Sequence, residues 1–124
     1  AIKKPQEEAA VANESYPEDT VDLNAQHTTY TPYLTKIKRK IDYAWRYPRQ
    51  AYAAGEEGIT VIKFSIDQTG MLVAGNITTS SGSRLLDRGV LEAVQSAAPY
   101  GPIPDNIKLS KLHIVATFHY KLSK

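Results

Sequence analysis

Apolar and polar residues alternate most regularly at the C-terminal end of the chain. From Leu112 to Leu122 every second residue is apolar, and most of the residues between them are polar or charged. This period of two predicts a strand with one buried and one solvent-exposed face. Earlier segments rich in β-branched residues, Ile59–Asp67 and Met71–Thr79, predict two more strands. The turn between them ends in Gly70, which suits a positive φ and predicts a hairpin.

Two other segments have apolar residues at helical spacing. The first is Thr31–Arg46, where Thr31 matches an N-cap and is followed by a proline. The second is Arg84–Ala97, for which Ser83 is the predicted N-cap. Together the pattern predicts an α+β fold, a three-stranded antiparallel sheet with two helices packed on one face, in the order α-β-β-α-β.

The N-terminal quarter of the chain has no such period. Residues 1–30 are rich in Ala, Glu, Pro and Asn, which predicts a disordered linker before a single domain at residues 31–124. The linker holds two basic and six acidic side chains, whereas the domain holds 13 basic and seven acidic ones. The start has neither Met nor a signal peptide, so we expect a fragment or processed product whose membrane anchor lies upstream.

Motifs that would indicate catalysis or metal binding are missing from the sequence. There is no cysteine, no phosphate-binding glycine motif and no nucleophile elbow. His113 and His119 are six residues apart on the predicted last strand, which is too far to share an ion. The basic run Lys36–Lys40 is interpreted as the solvated face of the first helix, not as a nucleic-acid site. We therefore expect no catalytic residue, no metal and no cofactor.

The predicted sheet leaves a different kind of site. A sheet of three strands has two edges, and an exposed edge accepts the backbone of another chain. That chain is either a partner protein or a second copy of this one, which would give a homodimer. The alternative is an edge that is only tolerated, with Lys111 and Lys121 shielding its ends.

The segment from Tyr47 to Val94 resembles the C-terminal domain of the TonB family of periplasmic energy transducers. The resemblance rests on an ordered set of short features. They are Tyr47-Pro48 followed by Ala51, Gly55 and Gly58 before a strand, a turn ending in Gly70, Ser80-Ser81-Gly82, and Leu86-Asp87 opening a helix that continues to Ala93-Val94.

The resemblance implies a location and a partner. Members of the family sit in the periplasm of Gram-negative cells, anchored to the inner membrane by an upstream helix. They connect a proton-motive-force-driven motor complex to outer-membrane transporters for siderophores, vitamin B12 and similar cargo. The transporter's plug-end segment adds as a strand to the domain's C-terminal strand, which implies these partner-binding residues: Lys111, Leu112, His113, Ile114, Val115, Ala116, Thr117, Phe118 and His119.

The corner around Tyr47-Pro48 is a second candidate contact in the family. Here it includes Arg46 and Arg49, and direct contact with the partner competes with a purely structural role in ending the helix. Two features depart from the TonB pattern. The end of the second helix, Ser96–Pro99, lacks the usual aromatic run, and the long amphipathic helix before the Tyr-Pro corner looks more like the related TolA domain, which binds TolB and maintains outer-membrane integrity. A TolA-like function is therefore the alternative.

Overall fold

A computed structural model describes residues 16–122, and the first half of the predicted linker lies outside them. The described residues form four strands and three helices. In chain order these are β1 (Glu18–Asp22), α1 (Thr31–Ala44), α2 (Arg49–Ala53), β2 (Gly58–Asp67), β3 (Leu72–Thr79), α3 (Arg84–Ala97) and β4 (Lys111–Tyr120).

The sheet has the strand order β1-β4-β2-β3. β4 pairs antiparallel with β2 over ten residue pairs, and β3 pairs antiparallel with β2. β1 pairs with β4 in parallel, so the prediction of a three-stranded antiparallel sheet is wrong in strand number and in direction. The missing strand, Glu18–Asp22, lies inside the segment that composition predicts to be disordered. Its side chains are mostly exposed on both faces, so it has no alternating apolar pattern.

Helices α1 and α3 supply the other half of the core. Their buried faces share one hydrophobic cluster with the apolar faces of β2 and β4. The cluster includes Leu34, Ile37 and Ile41 from α1, Leu86, Val90 and Val94 from α3, and Ile62, Phe64, Ile66, Leu112 and Ile114 from the sheet. The α+β class and the predicted α-β-β-α-β order hold for these five elements, with the short α2 and β1 added.

The helix ends show which local sequence signals predicted the helix boundaries correctly. Ser83 accepts a hydrogen bond from the Leu86 amide at 3.2 Å, which confirms it as the N-cap of α3. The predicted cap of α1 is wrong, because Thr31 is the first helical residue and Tyr30 before it makes no side-chain cap. α1 also stops two residues before the expected Arg46, since Trp45 is already extended at ψ 128°.

Asp87 fastens the start of α3 to the sheet. Its carboxylate accepts hydrogen bonds from the Ser81 amide at 3.0 Å, the Ser81 hydroxyl at 2.8 Å and the buried Thr60 hydroxyl at 2.9 Å. Ser80 donates to the other carboxylate oxygen. Burial raises the pKa of Asp87, but these hydrogen bonds to the ionised form outweigh it, and the net pKa is lowered.

The connection between α3 and β4 packs onto the β2–β3 turn. The Tyr100 amide donates to the Gly70 carbonyl at 2.9 Å, and the Tyr33 hydroxyl donates to the Gly101 carbonyl at 2.6 Å. Gly70 has φ +92°, and a Cβ there would lie 2.2 Å from the Gly101 carbonyl oxygen. Residues 98–110 contain no helix or strand, and only glycine fits at position 70, where this connection contacts the turn.

No helix within residues 16–122 is both long enough and apolar enough to cross a membrane.

We predict that Asp87→Asn lowers the free energy of unfolding by about 1–3 kcal/mol at neutral pH, because an amide cannot accept from all of these donors. The native pKa lies below the ordinary 3.8, so the contribution of the carboxylate is complete above that pH and is lost on further acidification. Urea unfolding at about pH 7 and about pH 3 measures this. A stability difference of equal size at both pH values would contradict the assignment.

We predict that Gly70→Ala destabilises the domain by about 3 kcal/mol or more, because it adds a steric clash to an unfavourable φ. Gly55→Ala is the matched control, since Gly55 also has positive φ, at +73°, but has open space at the Cβ position. The control should lose only about 1–2 kcal/mol. Urea unfolding of both variants measures the difference, and equal losses would show that the contact with Gly101 is not restrictive.

Candidate partner-binding site

The outer edge of β4, the edge opposite β2, is the location that the sequence predicts for partner binding. β1 covers its first half, from Glu18 opposite Lys111 to Asp22 opposite Val115. The Leu23 amide closes this ladder with a hydrogen bond of 2.9 Å to the Val115 carbonyl. The edge that was expected to be free is therefore already paired along Lys111–Val115.

The second half of β4 has no strand on its outer side within residues 16–122. The Val115 carbonyl faces outward, and the amide and carbonyl of a strand residue share an edge that alternates along the strand. Thr117 and His119 therefore also present their backbone groups outward. No described backbone group pairs with those groups, so they are available to another strand.

The predicted partner-binding residues fall into two sets. Lys111, His113, Val115, Thr117 and His119 present backbone groups to the outer edge. The other four belong to the core, because their side chains are buried and their backbone groups face β2. These are Leu112, Ile114, Ala116 and Phe118, whose part in partner binding stays a prediction.

A groove of about 250 Å³ runs beside the open half of β4. Its floor is Ala116–His119, and its wall is the last part of α1 together with the turn after β1. The wall residues are Leu23, Asn24, Lys38, Ile41, Asp42 and Trp45. The groove therefore offers backbone groups along one side and both an indole and charged side chains along the other.

Trp45 packs its indole on the end of β4. Its ring centre lies 5.2 Å from those of Phe118 and Tyr120, both in edge-to-face geometry. Such aromatic pairs add to the free energy gained from apolar burial and fix the ring orientation. Trp45 thus connects the end of α1 to the open half of β4, and it was not among the predicted site residues.

The Tyr47-Pro48 corner makes several packing contacts within the domain. The ring of Tyr47 packs against Tyr120 at 5.2 Å and Tyr52 at 5.5 Å, and its hydroxyl donates to the Glu56 carbonyl. A Cβ at Gly89 of α3 would lie 3.0 Å from the Pro48 ring, which shows how closely the corner approaches that helix. These contacts support the structural interpretation of the corner.

The two arginines of the corner do not line the β4 groove. Arg46 is exposed and donates to the carbonyls of Tyr43 at 2.8 Å and Trp45 at 3.2 Å. With Pro48 it borders a separate depression against α3. Arg49 opens α2 and is also exposed. The structure therefore does not bring Arg46, Pro48 and Arg49 together with the outer edge of β4, and a role for them in binding stays a prediction.

His113 connects three strands at the covered half of the edge. Its Nε2 lies 2.6 Å from the Glu18 carboxylate on β1, and its Nδ1 lies 2.6 Å from the Ser65 hydroxyl on β2. Since an ionised carboxylate can only accept, Nε2 is the donor. This hydrogen bond is the main cause that lowers the pKa of Glu18. His113 therefore holds the start of β1 against β4.

Within residues 16–122 no group of three or more histidine, cysteine or acidic side chains is arranged to hold a metal ion. Besides its outward backbone groups, the outer edge of β4 carries Lys111, His113 and His119.

The strand β1 and Trp45 are the parts of this site that the sequence analysis missed. Thr20 and Val21 are two β-branched residues between carboxylates, a signal too short to separate a strand from a linker. The helical spacing of apolar residues included Trp45, but the sequence does not show that Trp45 packs against the end of β4.

Known proteins match this chain over most of its domain. The family model described as "Gram-negative bacterial TonB protein C-terminal" matches residues 43–122. The TonB protein of Pasteurella multocida is 36% identical over 72 residues, which cover 58% of this chain and 28% of that protein. The chain spans between 27% and 33% of the length of the curated relatives that it matches.

Solved structures show the same fold. The solution structure of the Helicobacter pylori TonB C-terminal domain, residues 179–285, covers 99% of both chains with a TM-score of 0.66 at 24% identity. A shorter form of that domain, residues 194–285, covers 74% of this chain and 96% of its own length, with a TM-score of 0.57 at 29% identity.

These matches favour the first of the two interpretations of the sequence, and none of them supports the TolA alternative. The family model covers well over half of the chain, including the Tyr-Pro corner, the hairpin, α3 and β4. The chain belongs to the family of C-terminal domains of Gram-negative bacterial TonB proteins.

Proposed function

We propose that this chain is the periplasmic end of an energy transducer and that it binds outer-membrane transporters by strand addition to β4. The proposal combines the family membership with one observation, the unpaired outer edge at Thr117 and His119 beside the Trp45 groove. In this function the domain has no catalytic step. It is a mechanical coupler between a transporter and the inner-membrane proton-motive-force motor.

The edge suits a reversible contact. Each backbone hydrogen bond of an added strand contributes only about 0.5–1.5 kcal/mol net, so a few of them give weak to moderate affinity. The groove beside the edge adds an apolar contact on Trp45 and charged groups from α1, Lys38 and Asp42. These side chains give specificity, while the backbone pairing gives the direction and register of the bound strand.

Location and coupling follow from the same proposal. The domain would lie in the periplasm, joined to an inner-membrane anchor and to the motor complex through the parts of the relatives that this chain does not span. The cargo would be siderophores or other nutrients that the transporters carry.

An NMR titration of the ¹⁵N-labelled chain with a transporter plug-end peptide from the same organism tests the proposal. We expect amide shifts at Thr117 and His119 and at the indole of Trp45. A peptide copying the N-terminal segment of TolB is the control for binding to any extended segment. Shifts confined to Arg46–Arg49, or no shifts with the transporter peptide, would contradict strand addition at β4.

We predict that Thr117→Pro reduces transporter-peptide affinity about tenfold, because it removes one outward amide and bends the edge. The amide of Thr117 faces away from β2, so the sheet should survive. Thr117→Val is the matched control, since it changes the side chain and keeps the amide. Isothermal titration calorimetry measures both. Equal affinities in two folded variants would show that this amide does not pair with the partner.

A further inference from the structure

The strand that covers the first half of the β4 edge belongs to the chain itself. β1 runs parallel to β4, with the Ser110 amide donating to the Pro17 carbonyl at 3.0 Å at one end. At the other end the Leu23 amide donates to the Val115 carbonyl. β1 therefore takes the same outward backbone groups of His113 and Val115 that an added partner strand would need.

β1 is attached with little apolar burial. Four of its five side chains are exposed, and Val21 is half-buried. The first buried apolar side chain is Leu23, directly after the strand. Buried apolar area is the main stabilising contribution to strand packing, and β2 has several fully buried side chains whereas β1 contributes only the partly buried Val21. β1 is therefore held mainly by its backbone ladder and by polar side-chain contacts.

The side chains of β1 show which chemistry this half of the edge accepts. Three of its five residues are acidic, and the domain that follows is basic. Glu18 lies opposite Lys111 and contacts His113 at 2.6 Å. Asp19 accepts a hydrogen bond from the Tyr30 hydroxyl at 2.6 Å. The start of the covered half, at Lys111 and His113, is thus complementary to an acidic side chain such as Glu18.

We propose that β1 is an internal competitor for the partner site. An acidic, extended segment of the partner pairs first with the open residues Thr117 and His119, runs parallel to β4, and displaces β1 from His113 and Val115. In the unbound chain β1 protects the edge from unspecific pairing. This inference rests on the proposed strand addition and adds the acidic chemistry of the partner and the release of β1.

Two proline variants of the whole chain distinguish the release of β1 from a general effect of proline on this strand. By alternation from Leu23, the Val21 amide faces β4, so Val21→Pro removes a bond of the β1–β4 ladder. The Thr20 amide instead donates to its neighbour Asp19 at 2.8 Å. Thr20→Pro is therefore the matched control, with a proline in the same strand but the ladder intact.

The probe is a synthetic peptide that copies residues 16–24. In the unmodified chain the tethered β1 has a high effective concentration and keeps this peptide out. We expect the peptide to bind Val21→Pro about tenfold more tightly than the unmodified chain or Thr20→Pro, since one net backbone bond corresponds to about that factor. Amide shifts should appear at His113 and Val115. A peptide with Glu18, Asp19 and Asp22 changed to their amides should bind more weakly.

Three results would overturn the inference. The first is equal affinity of the copy peptide for all three proteins. The second is unchanged hydrogen exchange at His113 and Val115 in Val21→Pro, which would show that β1 is not releasable. The third is equal affinity of the acidic peptide and its amide version, which would remove the acidic specificity.

A transporter plug-end peptide measured on the same three proteins distinguishes this inference from the proposed function. Suppose that the transporter peptide binds the unmodified chain and Val21→Pro with equal affinity, and that β1 stays paired with β4 in the complex of the unmodified chain. Strand addition then stands, and competition between β1 and the partner is wrong. If the transporter peptide binds none of them while the copy peptide behaves as expected, the internal competitor stands and the proposed function fails.

Discussion

Backbone pairing along β4 is the constraint on which the rest of this domain depends. One edge of β4 is saturated by β2 over ten residue pairs, and its apolar face closes the core beneath α1 and α3. The core face and the β2 edge are therefore fixed by burial, and only the outer edge can change partners. The proposed binding site is the part of the strand whose backbone groups folding leaves unpaired.

The outer edge of β4 has one half with paired backbone groups and one half with unpaired backbone groups. From Lys111 to Val115 it is paired with β1, and beyond Val115 it opens into the groove that Trp45 borders. In the proposed function a partner strand would pair first with the open half of this edge. Such an edge would not need a deep pocket, because in strand addition the backbone ladder sets the direction and register and a few neighbouring side chains give specificity.

The aromatic corner supports the edge from behind. Trp45 and Tyr47 both pack edge-to-face on Tyr120, and the Tyr47 hydroxyl bonds to the Glu56 carbonyl. They fix the end of β4 relative to α1. Close to this corner, near the N-terminal end of α3, Asp87 joins that helix to β2 through the Thr60 hydroxyl. The sheet is therefore held to α3 by polar as well as apolar contacts.

The sequence by itself determined the elements whose burial imposes a period. The two helices, β2 and β4 follow from spacings of 3.6 and 2, because in each of them one face is buried and the other is exposed to solvent. β3 has no buried residue, and its prediction came from its β-branched residues and from the turn before it. Ser83 followed from local hydrogen bonding at a helix start. Only the tertiary structure determined that Glu18–Asp22 forms a strand and that Trp45 packs on the end of β4. β1 carries no buried face, so its strand form depends on a distant backbone edge, and that information is absent from its five residues.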